Sequence, residues 1–368
     1  MNILITGSHG FIAKNLIVKL SEFKNYNILT LDKKSSKQDI HKKLIKADLI
    51  FHLAGVNKEN YPNYSYDNNY TFTENICLIL KKNLKKTKII YASSTQAKLR
   101  NAYGKSKLKA EKILLNYKKK TGADVSLYRL PNVFGKWSKP YYNSAVATFC
   151  YQIYNNQKVT ITEPNKKISL LYIDDLISIF LNDIKSGKKK NSYIKINNIF
   201  SITLLNLVRL IRSFEKKEKI ILPNNISHSI VKNLYSTYIS YFSKKDFQYK
   251  LKKFSDERGF FSEFLKNTDF GQISFFSILP KQVRGNHYHN TKTEKFVVIT
   301  GKTRFNFVNI INKKRFSILT DEKKNLVINT IPGWAHNIEN VGSKTAMVLV
   351  WANEILDKKN PDTIFYKV

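Results

Sequence analysis

The run Tyr103-Gly104-Lys105-Ser106-Lys107 sets a phenol and an ammonium four positions apart, on one face of any helix it forms. A short way upstream, Tyr91-Ala92-Ser93-Ser94 ends an apolar stretch in two hydroxyls. Reduction of a ketone by hydride needs a proton donor at the carbonyl oxygen. A tyrosine serves if a neighbouring ammonium lowers its pKa towards the working pH, and a strand-end hydroxyl can hold the oxygen. Taken alone, such a Tyr–Lys pair is more often a plain surface pair, in a chain with 21 tyrosines and abundant lysine. The strand-end serines in register before it favour chemistry, with Ser94, Tyr103 and Lys107 as the working groups. A second constellation lies far downstream: His287 and His289 in Gly285-Asn286-His287-Tyr288-His289, then Glu294, then His336 in Pro332-Gly333-Trp334-Ala335-His336-Asn337. Two imidazoles alternating along a strand point the same way. Three histidines and a carboxylate can surround one divalent transition metal and leave positions open for water or substrate.

The elements that must position these groups differ between the two halves. Asn2-Ile3-Leu4-Ile5-Thr6 reads as a strand, Gly7-Ser8-His9-Gly10 as a turn, and Phe11 to Leu20 as a helix by its apolar spacing. Gly7 and Gly10 let backbone approach a pyrophosphate, which the helix N-terminus favours, and Ala13 is small enough for helix–strand packing. Strand-like runs recur at 28–31, 49–53, 88–91 and 125–128 with helical stretches between, the pattern of a doubly wound parallel sheet of the Rossmann type. Asp32 closes the second strand, where a carboxylate accepts from ribose hydroxyls and favours NAD. Lys33, Lys34 and Ser35 follow and suit the 2′-phosphate of NADP. The balance leans to NADPH, with NADH open. Past about residue 245 short alternating strands such as Phe296-Val297-Val298-Ile299 and Thr303-Arg304-Phe305-Asn306-Phe307 predict an antiparallel barrel. The expected domains are therefore 1–245 and 246–368, with the boundary between Ser240 and Leu251.

At 368 residues the chain suits two domains, and its 42% hydrophobic content suits globular cores. The formal net charge of +36 raises the question of nucleic acid. The lysines, however, are scattered in short runs such as Lys118-Lys119-Lys120 and Lys188-Lys189-Lys190, and no zinc finger, helix-turn-helix or RNA-binding motif accompanies them. Nucleic acid is thus not expected as a partner, while a positive field would draw in an anionic substrate. Cys77 and Cys150 each sit in an apolar stretch and read as core residues. No run is long enough for a bilayer span and no leader pattern precedes Ile3, so a soluble, cytoplasmic protein is expected.

The series Gly7-x-x-Gly10-x-x-Ala13, His52-Leu53-Ala54-Gly55, Ser93-Ser94, Tyr103-x-x-x-Lys107, Arg129-x-x-Asn132-Val133-Phe134-Gly135 and Tyr172-Ile173-Asp174-Asp175 resembles the extended short-chain dehydrogenases that act on nucleotide-linked sugars. That resemblance implies catalysis by Ser94, Tyr103 and Lys107. It implies a dinucleotide lined by Gly7, Gly10, Phe11, Ile12, Leu53, Ala54 and Gly55, and Asn132 facing substrate or the cofactor phosphate. The spacing from His287 through Glu294 and Gly301 to His336 and Asn340 resembles both cupin motifs, with Pro332 directly before Gly333 as a departure. A further resemblance overlaps it. Asp256-Glu257-Arg258-Gly259-Phe260-Phe261-Ser262-Glu263-Phe264 and Arg284-Gly285-Asn286-His287 look like the barrel epimerases of nucleotide-linked 4-ketosugars. There the histidine is a base, and Arg258, Glu263 and Arg284 would contact the nucleotide sugar. His287 is thus claimed both as ligand and as base, and proton abstraction needs a neutral, uncoordinated imidazole. End to end the chain is similar to bifunctional UDP-sugar epimerase/reductases of the CapF type. This implies a UDP-linked 4-keto-amino-sugar substrate, zinc in the cupin and a homodimer.

Overall fold

A computed structural model describes residues 1–58, 65–186, 191–215, 218–357, 359 and 361–368; the Lys188-Lys189-Lys190 run lies outside them. The chain divides into two compact units. The first holds residues 1–212 and 232–242, the second 213–231 and 243–368. This differs from a single cut at 245, because backbone bonds between Leu222 and Lys266 and between Lys266 and Ile220 tie the 213–231 segment to the C-terminal strands.

The first unit begins β1 (Asn2–Thr6), α1 (Phe11–Ser21), β2 (Asn27–Leu31), α2 (Lys37–Lys46), β3 (Leu49–His52), α3 (Asn68–Lys82), β4 (Lys88–Ser94), a 3-10 turn (Thr95–Lys98), α4 (Ala102–Thr121) and β5 (Val125–Leu130). Its five strands are all parallel, in the order β2-β1-β3-β4-β5. Helices cover both faces, so both sets of alternating side chains are buried. Ile3 and Ile5 join one core cluster with Leu16, Phe51 and Phe180, while Leu4 joins the other with Ile50, Ile89 and Leu114. This is why the strands read as unbroken apolar runs rather than as alternation. In such sheets ligands bind beyond the carboxyl ends of the strands, where the order reverses, here beside β1 and β3. A smaller sheet follows from β6 (Asn132–Phe134), β7 (Lys167–Tyr172) and β8 (Phe200–Thr203), with α5 (Ala145–Tyr154), α6 (Ile173–Lys185) and α7 (Leu204–Arg212); α8 (Ser229–Ile239) comes next along the chain.

The second unit is antiparallel. Its strands are β9 (Phe254–Asp256), β10 (Gly259–Asn267), β11 (Gly271–Ile278), β12 (Val283–Tyr288), β13 (Glu294–Thr300), β14 (Lys302–Asn309), β15 (Arg315–Asp321), β16 (Val327–Asn329), β17 (Trp334–Asn340), β18 (Ala346–Ala352) and β19 (Ile364–Phe365). They form two sheets, β16-β13-β18-β11-β10-β9 and β15-β14-β17-β12-β19. Phe276, Phe296, Val298 and Val348 from the first meet Phe305, Phe307 and Ile338 from the second in one core, the jelly-roll arrangement expected of the sequence. Cys77 and Cys150 are buried and unpaired. Among the described residues no helix is long and apolar enough to cross a membrane.

Candidate active sites

In the first unit the working groups stand at strand ends. Gly7 follows β1 with φ +68°, and a side chain there would strike the Ala54 backbone at 2.8 Å. Only glycine lets the first turn touch the segment after β3. Gly10 precedes α1 and donates to Gly7 O at 2.8 Å, while Phe11, Ile12 and Leu53 pack against the core beneath. Behind the turn His52 is fully buried, and burial brings its pKa down to about 3. Its neighbours fix its tautomer. Thr73 Oγ1 spends its proton on Asn69 O, so it accepts from His52 Nε2–H. Thr6 Oγ1 then donates to His52 Nδ1 and accepts from Ala54 N–H. Asn69 in turn accepts from Val56 N and donates to Ser106 Oγ, which donates to Tyr103 O. One satisfied network thus runs from the glycine turn to the helix that bears Tyr103 and Lys107.

Ser94, Tyr103 and Lys107 come together above it. Lys107 is only 4% exposed; its Nζ donates to Ala92 O at 3.1 Å, lies 6.0 Å from the centre of the Tyr103 ring and rests against Gly55. Burial brings this ammonium down to about 8, with Glu111 opposing. Burial pushes the Tyr103 phenol up to about 12, against a hydrogen bond with Ser94. Desolvation is the largest influence on the phenol in this structure, ahead of the Ser94 hydrogen bond. The phenol donates to Asn57 Oδ1 at 3.0 Å, a partner the motifs did not single out. Glu111, fully buried, accepts from Ser93 and from Arg129 in a two-pronged pair at 2.9 and 2.6 Å, fastening α4 to the strand ends.

Asp32 sits just past β2. Its Oδ1 accepts from Lys34 N at 2.8 Å and its Oδ2 lies 3.0 Å from His9 Nε2. The Lys34 N–H, and after it His9, hold the carboxyl below its usual range. His9 was legible as part of the glycine turn but not as a partner of Asp32. Lys33 is exposed, and Asn132, exposed on β6, donates to Ser169 O at 3.2 Å.

In the second unit the register puts the expected groups on the inner face. His287 pairs with His336, which pairs with Phe307, and Arg284 pairs with Ile338, which pairs with Phe305. Arg284 and His287, three apart, would face opposite ways on a regular strand. A bulge between Gly285 and His287 cancels the mismatch, with Gly285 at φ +101° and Asn286 at +62°. On the facing sheet Glu294 pairs with Ala352, and Ala352 with Gln272. Gln272 shares its face with Ser274, the partner of Glu263, so Glu263 and Glu294 look into the same interior. Glu263 is ion-paired to Lys266 at 2.8 Å, whereas Arg258 and Arg284 converge on Asp256 at 2.6 and 3.3 Å. Asp256 was read only as part of a motif, and the structure makes it the link between the two arginines.

His287, His289, Glu294 and His336 form one cluster, their ligand atoms within 4.8 Å of one another. His289 Nδ1 faces the Asp362 carbonyl, which can only accept, so this nitrogen carries the proton. The lone pair on Nε2 therefore faces Glu294 Oε2 at 3.2 Å, and His336 Nε2 lies 3.3 Å from the same oxygen. A lone pair such as that of His289, set against a carboxylate at this range, needs a cation or a proton between them. A tetrahedral shell of about 2.0 Å radius places ligand atoms about 3.3 Å apart, which the spacing of Glu294 from His289 and His336 matches. His336 Nδ1 is buried without a partner. Burial alone would raise the Glu294 carboxyl, yet the imidazoles of His289 and His336 facing it hold it well below the usual range. The His287 ring centre lies 4.9 and 4.7 Å from those of His289 and His336; burial and then His336 bring it down to about 4, so it is neutral.

Residues 3–199 match the NAD dependent epimerase/dehydratase family, and residues 254–364 match the polysaccharide biosynthesis C-terminal domain. A UDP-2-acetamido-2,6-beta-L-arabino-hexul-4-ose reductase of Pseudomonas aeruginosa is 38% identical over 364 residues, covering 99% of this chain and 98% of its own. The crystal structure of the capsular polysaccharide assembling protein CapF from Staphylococcus aureus matches with a TM-score of 0.90 at 37% identity, over 100% of both chains. A UDP-glucose 4-epimerase of Thermotoga maritima, 19% identical with a TM-score of 0.56 over 67% of this chain and 100% of its own, shares the fold. The chain belongs to the NAD dependent epimerase/dehydratase family and is a full-length homologue of the CapF type.

Proposed function

We propose that the chain is a bifunctional nucleotide-sugar enzyme that epimerises carbon 3 of a UDP-2-acetamido-2,6-dideoxy-4-hexulose in its cupin unit and then reduces carbon 4 in its dehydrogenase unit. The reading rests above all on one observation: the Ser94–Tyr103–Lys107 trio and the His–Glu cluster share a chain that is similar over its whole length to a UDP-4-hexulose reductase. In the cupin, neutral His287 takes the proton from carbon 3, and the carbon 4 ketone holds the electron pair. A proton returned to the opposite face inverts the centre. His289, Glu294 and His336 would hold a divalent metal, zinc by the donor set, which would supply Lewis-acid charge to the site. Arg258 and Arg284, gathered by Asp256, hold the nucleotide diphosphate.

In the dehydrogenase unit a bound reduced nicotinamide would supply the hydride for carbon 4. Tyr103 gives its proton to the carbonyl oxygen, Ser94 orients that oxygen, and Lys107 stabilises the phenolate that remains. Reduction removes the ketone that epimerisation needs, so the order is epimerise, then reduce. The product is a UDP-linked 6-deoxy-L-talosamine derivative on the way to UDP-N-acetyl-L-fucosamine for a capsule or O-antigen. NADPH is the proposed cofactor: both Asp32 oxygens are engaged, by Lys34 N–H and His9, and Lys33, Lys34 and Ser35 follow Asp32 directly in sequence. A homodimer is part of the same proposal.

The test is NADPH oxidation with the UDP-linked 4-keto intermediate in heavy water, the product examined by NMR. Oxidation with deuterium at carbon 3 supports both activities. Oxidation without deuterium leaves a plain reductase with a sugar-binding cupin, and no oxidation sinks the reading.

A further inference from the structure

We propose that Asp362 is the positioning residue for His289, and that residues 362–368 are a strap holding the cupin histidines in register. The proposal rests on the reading that His289, Glu294 and His336 hold a divalent metal. Asp362 grips the His289 loop with both its carbonyl and its carboxylate. Its backbone carbonyl accepts from His289 Nδ1, which fixes the tautomer and turns the Nε2 lone pair towards Glu294. Its carboxylate accepts from Asn290 N at 2.9 Å, Thr291 N at 2.7 Å, Lys292 N at 2.8 Å and the Thr291 hydroxyl at 3.0 Å. Three consecutive amides closing on one carboxylate leave the residues after His289 little freedom, and the ring is held from behind as they are. Orientation of a ligand imidazole through its second nitrogen is how proteins tune such a site.

The following residues fasten the neighbouring strand. β19 pairs with β12 through His287–Phe365 and Tyr288–Ile364, so it covers the edge that β12 would otherwise expose. Tyr366 N donates to Asn286 O at 2.9 Å and Val368 N to Asn286 Oδ1 at 3.2 Å, at the bulge that turns His287 inward. Thus the same short segment holds His289 by its ring and His287 by its backbone, across 73 positions of sequence.

The experiment uses the full chain loaded with zinc, and compares Asp362→Asn and Asp362→Ala with the parent. Three quantities are read: zinc release to a chelator, hydrogen exchange of the 290–292 amides, and NADPH binding. Both variants are expected to release zinc at about 10- to 100-fold lower chelator, the usual cost of losing such a partner. The 290–292 amides should exchange faster and NADPH binding should not change. Zinc held as tightly as in the parent, with those amides still protected, overturns the proposal and leaves the metal reading intact. If the parent holds no zinc, the metal reading falls. The strap then stands or falls on whether the amides and the His289 Nδ1 proton are released in Asp362→Asn. Should Asp362→Ala fail to fold, Asp362→Asn decides alone.

Discussion

The two sites are assembled on opposite principles. In the first unit the glycine turn and Ser94 stand at strand ends of one parallel sheet and Tyr103 and Lys107 on the helix after β4, so two short stretches of sequence carry the turn and the chemistry. In the second unit the groups come from β12, the loop after it, β13 and β17, and converge only because two sheets face each other. A parallel sheet concentrates function in local turns, whereas an antiparallel barrel distributes it across pairings distant in sequence. The first kind of site tolerates little change inside its motifs. The second depends equally on residues that touch no substrate.

The sharpest way to separate them is to silence one and watch the other. Tyr103→Phe removes the proton donor and should lower NADPH oxidation by about 10²- to 10⁴-fold. Deuterium uptake at carbon 3 should continue, because the His–Glu cluster is untouched. Loss of uptake as well would mean that one site serves both steps. The converse variant is Glu294→Gln, which takes away the carboxylate that His289 and His336 share. It should weaken metal binding by about 100-fold or more and stop deuterium uptake, while NADPH still binds. Metal retained at parental affinity would remove Glu294 from the ligand set.

This contrast explains what was readable in the sequence. The glycine turn, Ser94, Tyr103 and Lys107 could be picked out because their positions follow from strand and helix periods alone. The pairing of His287 with His289 could also be read from alternation. Arg284 facing the same way as His287 could not, since it depends on a bulge whose left-handed Asn286 leaves no reliable mark in composition. Asn57, Asp256 and Asp362 escaped for the same reason. Each acts through a partner set by tertiary packing, 46 positions away for Asn57 and 73 for Asp362. Helix spacing shows the lysine near Tyr103 but not the depth at which the phenol is buried.

A matched pair of substitutions tests the contrast at the level of backbone. Gly7 and Gly285 both have positive φ, and both lie where a side chain would meet neighbouring backbone, at 2.8 Å from Ala54 and 2.9 Å from Asn337. Alanine at either should cost about 1–3 kcal/mol of local strain. Gly7→Ala should appear as weaker NADPH binding with metal binding unchanged. Gly285→Ala should appear as lost deuterium uptake with NADPH binding unchanged, because the bulge that aims His287 is disturbed. If both variants harmed both sites, the division of labour would fail.

The smallest effect expected concerns His9, the point where the local site depends on a distant partner. A carboxylate that selects NADH must offer its oxygens to the ribose hydroxyls. Here Asp32 gives one oxygen to Lys34 N–H, and the other meets His9, 23 positions away. His9→Ala frees that second oxygen, which then accepts a 2′-hydroxyl and repels a 2′-phosphate. The preference for NADPH over NADH, measured as the ratio of kcat/KM values, should fall by about tenfold. The His9 side chain is 81% exposed, so the change should shrink as salt is added. A ratio that does not move at low ionic strength would return the choice of cofactor to Lys33 and Lys34, within the contiguous motif itself.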